Sequence, residues 1–191
     1  MLGYDAAHWH AVLNDLPAAL LLVAVLFDLG AAATKRESLM WAGIWTLWAG
    51  VIGGWVAVVA GKLASASIEH GEAIHEIMEK HENMALLTMA LFTVVLAWRL
   101  IRRFQMPAHE LAFTRMLSIV GLAGLVWTGV LGGRLVFQHA AGIPSKVLQA
   151  EIQNREAGHQ HQPGEEYEPG APADTAKATH THPPGTPPHT H

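Results

Sequence analysis

Four apolar stretches, each close to the length of a membrane-crossing helix, fall within the first 137 residues. A hydrocarbon core of about 30 Å is crossed by roughly 20 mainly apolar residues in helical form. The stretches run over about residues 16–33, 39–60, 84–101 and 111–137. Asp28 alone interrupts the first, and the second carries no charge. The third has Arg99 near one end, and the fourth has Arg115 and Arg134 near its two ends, where long side chains reach the interface. Trp41, Trp45, Trp48, Trp55, Trp98 and Trp127 fall mostly near span ends, as an interfacial aromatic belt requires. Only 15% of residues are charged, against about 25% in an average soluble domain. The expected fold is therefore all-α: an integral membrane four-helix bundle over residues 1–145, followed by a disordered His/Pro-rich tail over 146–191. The first span is expected to be retained, because no Lys or Arg precedes it as a signal peptide would need.

Charge separates these two parts and orients the first. Residues 1–150 carry ten acids and ten bases, so the net charge of −4 resides in the remainder. A balanced bundle gives no basic footprint for nucleic acid. With no cysteine there is no disulfide, c-type haem attachment, iron–sulfur ligation or thiolate zinc site. Lys35 and Arg36 lie between the first two spans, and Arg99, Arg102 and Arg103 between the last two. The positive-inside rule puts both loops in the cytoplasm and both termini outside. Asp28 and Arg115 then stand at similar depth and can pair, as can Asp15 and Arg134.

This topology gathers histidines on one side. His10 precedes the first span, His70, His75 and His81 lie between the second and third, and His139 closes the fourth. Six-coordinate b-type haem takes two imidazoles from opposing helices, about 4 Å apart along the iron axis, and helix bundles build such sites from inward-pointing side chains. The candidate ligands are His10, His75, His81 and His139, with Arg134 available to a propionate. Glycine-rich faces (Gly50, Gly53 and Gly54; Gly121, Gly124, Gly129, Gly132 and Gly133) suit either close helix packing or a slot for a flat macrocycle. A second chemistry is Cu or Zn capture by His70, His75 and Glu79, aided by His180, His182, His189 and His191 in the tail, where His-x-His spacing lets two imidazoles chelate one ion. A third is a cofactor-free accessory bundle whose histidines are interfacial polar groups. No nucleophile triad, phosphate loop or catalytic carboxylate pair stands out, so electron transfer or metal binding is expected ahead of enzymatic turnover.

Two motifs carry a resemblance. His10-Ala11-Val12-Leu13-Asn14-Asp15-Leu16-Pro17 leads into the first span, and Gly132-Gly133-Arg134-Leu135-Val136-Phe137-Gln138-His139-Ala140 ends the fourth. Over about residues 8–143 the chain resembles the bacterial DUF2231 family of four-helix membrane proteins. That family opens with His-Pro-x-x-x-His-Phe-Pro and closes its fourth helix with Gly-Gly-x-Leu-Val-Tyr-x-His-Gly; His81 fits its histidine before the third helix. Asp15 departs from the pattern at the second histidine. The resemblance implies four transmembrane helices in a bacterial inner membrane. In plan it is similar to transmembrane di-haem cytochromes b, which makes a quinol in the bilayer and an outward redox or metal-handling protein the expected partners.

Overall fold

The computed structural model describes residues 6–68 and 71–158, and among these all regular structure is helical. Helices α1 (Ala6–Thr34), α2 (Glu37–Ser67), α3 (Glu72–Ile101) and α4 (Ala108–His139) follow one another, and a shorter α5 (Ser145–Glu156) comes after them. The four long helices have 29 to 32 residues, and each is long and apolar enough to cross a bilayer. Each extends beyond its apolar stretch into flanking polar residues. The acidic segment before the third stretch continues straight into it, starting from Gly71, an extended N-cap.

The first part of the expected tail is helix α5. Residues 145–156 form a helix with no buried residue. Glu151 and Arg155 pair at 2.8 Å across one turn, a local stabilisation that needs no apolar face. The tail histidines, His180, His182, His189 and His191, lie outside the described residues, as does His70.

Helix α1 packs along α2, and α3 along α4; α2 packs on α3 more extensively than α1 does on α4. Within lipid the hydrophobic effect does not drive helices together, and close approach at small residues takes its place. A Cβ on Gly50 would come within 2.9 Å of Leu21, and one on Gly121 within 3.0 Å of Phe92. Leu21 and Phe92 are fully buried, with Val25, Leu47, Val51, Met89 and Val95 around them.

These glycine contacts expose an internal repeat. Gly50 stands to Leu21 as Gly121 stands to Phe92; Gly53 meets Pro17 as Gly124 meets Thr88. The members of each pair of equivalents are 71 residues apart, the same separation that divides Asp28 from Arg99. The bundle is thus two copies of one helical hairpin, α1–α2 and α3–α4, arranged about a pseudo-twofold axis parallel to the helices. The parallel repeats of some transporters are related in this way.

On that axis, at the end of the bundle holding the α1–α2 turn, Arg99 donates to Asp28 at 2.5 Å and Arg115 donates to the other carboxylate oxygen at 3.3 Å. The expected Asp28–Arg115 pair is present, and Arg99 joins it. A lone charge in hydrocarbon is costly, and mutual pairing is how such groups are retained. Asp15 lies at the opposite end, lining a cavity.

Candidate histidine site

The second feature on the axis is that cavity, about 650 Å³, at the end of the bundle where α1 begins and α4 finishes. Its walls follow the repeat: His10 with His81, Ala57 with Thr128, and Gly61 with Gly132. Apolar atoms make up most of its surface. Ala141, Gly142 and Ile143 also line it, and Gly142, at φ +84°, backs onto Ala7 and Ile68. Ala140 takes the left-handed conformation at φ 51° that ends α4 and sends the chain over the cavity. A glycine serves such a position without steric cost, which gives a physical reason for the final glycine of the family pattern.

Each histidine is held by the same device. His10 Nδ1 donates to the Ala57 carbonyl at 3.0 Å, and His81 Nδ1 donates to the Thr128 carbonyl at 3.0 Å. Both bonds reach 47 residues along the chain to the other helix of the same hairpin. A carbonyl oxygen only accepts, so Nδ1 carries the hydrogen and Nε2 is left as the free ring nitrogen. Ligating histidines are oriented by this kind of bond. Behind each ring is a glycine: a Cβ on Gly61 would sit 2.9 Å from His10, and one on Gly132 3.2 Å from His81. The two rings meet across the axis in an edge arrangement, with centres 6.3 Å apart and planes at 83°.

Other polar groups border the site. Lys62 and Glu82 pair at 2.7 Å between α2 and α3. Asp15, in the place of the family's second histidine, lines the cavity with Asn14.

The remaining sequence candidates are not brought to this point. His75 is exposed on α3 and does not line the cavity; nor do Arg134, exposed on α4, and half-buried His139 at the helix end. Glu79 is exposed too, and among the described residues no three His, Asp or Glu side chains form an ion-binding group. Gly61 and the carbonyls of Ala57 and Thr128 were not anticipated from sequence. The signal that identifies them is the matched glycine spacing of α2 and α4, in which Gly50, Gly53 and Gly61 recur as Gly121, Gly124 and Gly132.

No curated protein and no solved structure matches the chain. The DUF2231 family model, described as a predicted membrane protein, matches residues 7–144, the whole of both hairpins and the segment that crosses the cavity. The chain belongs to the DUF2231 family, a membrane protein of four apolar helices.

Proposed function

We propose that this protein is a b-type haem-binding electron-transfer subunit in which His10 and His81 would hold the iron. The observation that carries the proposal is the opposition of the two rings, each anchored through Nδ1, at 6.3 Å between centres. Two imidazoles ligating one metal from opposite sides, with metal–nitrogen distances of about 2.0 Å, have ring centres roughly 6 Å apart. The apolar cavity around them supports a planar group that brings its own four donors. A bare Zn²⁺ held by His10 and His81 would lack two of its usual four ligands, and no third side chain supplies one among the described residues.

When bound, such a haem supplies one-electron transfer at a potential set by its ligands and burial. The protein's own part is to anchor each ring through Nδ1, which leaves both Nε2 atoms to the group, and to keep the ring planes crossed. His75 and His139 are left out of the ligand set, and Arg134 out of any propionate contact. With both termini outside, the site lies towards the outer face. There it serves a quinol dissolved in the bilayer on one side and an outward-facing redox protein on the other.

The test is a dithionite-reduced minus oxidised visible spectrum of the detergent-purified full chain, alongside His10→Ala and His81→Ala. A sharp b-type α band that either substitution abolishes is the expected result. A flat spectrum from protein produced with ample haem, or a band indifferent to both substitutions, overturns the proposal.

A further inference from the structure

The pseudo-twofold axis relates the two long seams flanking the cavity, α2 against α3 and α4 against α1, and the seams differ. The α2–α3 seam is tied by Trp55 donating to Thr93 at 3.0 Å and by Lys62 with Glu82 at 2.7 Å. At the equivalent places on the α4–α1 seam stand Val126 with Leu22, and Gly133 with Ala11, pairs that can form neither bond. The wall residues differ likewise. Val58 and Lys62 of α2 correspond to Gly129 and Gly133 of α4, and a Cβ on either glycine would meet nothing within 4 Å. Gly61 and Gly132, by contrast, are backed closely by histidine rings, so among the glycines that line the cavity walls on α2 and α4 the open space is at Gly129 and Gly133. Both Gly129 and Gly133 line the cavity, together with Ala141, Gly142 and Ile143.

We infer that the α1–α4 seam is a lateral portal, opened by Gly129 and Gly133, through which the cavity takes its flat apolar guest directly from the bilayer. The identity of the guest as haem rests on the function proposed above; the route rests on the difference between the seams. Gly129 and Gly133 provide width without a side chain to move aside. Ala11 on the facing helix is the smallest residue that keeps α1 helical at low cost. The α2–α3 seam, held by an indole hydrogen bond and an ion pair, acts as the fixed hinge side.

The chain has no cysteine, so engineered thiols report on one seam at a time. Ala11→Cys with Gly133→Cys, bridged by a bis-methanethiosulfonate linker, closes the proposed portal, and reductant reopens it. Trp55→Cys with Thr93→Cys, outside the cavity lining and bridged in the same way, is the control on the tied seam. With full-length haem-free protein in phosphatidylcholine vesicles preloaded with hemin, bridging 11 to 133 slows hemin uptake roughly tenfold or more, as closing a gate does. Reductant restores the rate, and bridging 55 to 93 leaves it unchanged. Equal uptake with the 11–133 bridge closed and open overturns the portal.

A photoactivatable diazirine fatty acid, mapped onto Met89 and Leu125 inside the cavity, separates route from guest. If no variant takes up hemin but the 11–133 bridge still suppresses this labelling, the portal stands and the haem assignment falls. Labelling that ignores the bridge overturns the portal. Gly133→Trp repeats the blockade without a linker, and uptake at the parent rate in that variant counts equally against the portal.

Discussion

Asp28 and Arg99 occupy the same position in two copies of one hairpin, and they pair with each other across the axis that relates the copies. Two identical hairpins would bring like residues together there, carboxylate against carboxylate or guanidinium against guanidinium. Opposite charges at one repeat position therefore favour the unlike pairing, α1–α2 with α3–α4. Arg115 adds a second cation to the same carboxylate, while its equivalent in α2, Ile44, is buried and apolar.

Removing the carboxylate leaves two arginines without a counter-charge on the axis of the bundle. Asp28→Ala is expected to destabilise the protein by about 3–5 kcal/mol, the usual cost of stranding one partner of a buried pair. Thermal unfolding in detergent measures this. Moving the whole cluster across the axis (Asp28→Arg, Arg99→Asp, Arg115→Ile, Ile44→Arg) is expected to recover a large part of the loss, and no recovery would count against the repeat.

The repeat also makes the two histidines equivalent. His10→Ala and His81→Ala are expected to reduce haem retention to a similar degree, and the double substitution to add little to either, because one missing axial ligand already breaks the pair. Haem-to-protein ratio after purification is the readout. His75→Ala and His139→Ala are expected to leave that ratio unchanged.

Gly61 and Gly132 act on the same atoms from behind. Gly61→Ala puts a methyl group 2.9 Å from His10, closer than a Cβ tolerates, whereas Gly132→Ala leaves 3.2 Å to His81. Both are expected to weaken haem binding, Gly61→Ala more, by roughly 10–100-fold as for other groups that orient ligating histidines. Titration of haem into the haem-free protein measures the order, and a larger effect at Gly132 would contradict the geometry.

Ala140 carries a left-handed backbone that glycine adopts freely. Ala140→Gly is expected to stabilise the protein by roughly 1 kcal/mol, the lower end of the penalty for a side chain in that conformation. It should do so without altering the spectrum of the bound group. Unfolding midpoints of the two proteins compare directly.

Much of this was legible in sequence at the level of elements. Four apolar runs of bilayer length specify four helices whatever their rotation, and four successive crossings by themselves bring His10, His81 and His139 to one end. What sequence could not supply is the phase of each helix about its own axis. His10 and His81 turn inward on α1 and α3 while His75, six residues before His81 on the same helix, is exposed. A histidine at a helix end is equally compatible with either. His139 sits in the motif that most closely matches the family pattern, yet the motif's local role is to end α4 at Ala140 and carry the chain over the cavity. The repeat itself is faint in sequence because most equivalent positions, such as Leu21 and Phe92 or Pro17 and Thr88, keep a packing role with a different residue. It survives where geometry leaves no choice, at glycines pressed by a neighbour and at the two anchored histidines.

The central claim is that two imidazoles, crossed at 83°, share one iron. Electron paramagnetic resonance of the oxidised, haem-loaded protein tests it most directly. The account predicts a single low-spin ferric species with the strongly anisotropic, large-g signal of perpendicular axial imidazoles, converted to high spin by His10→Ala or His81→Ala. A high-spin signal from the parent protein, or a low-spin signal that survives both substitutions, would contradict it.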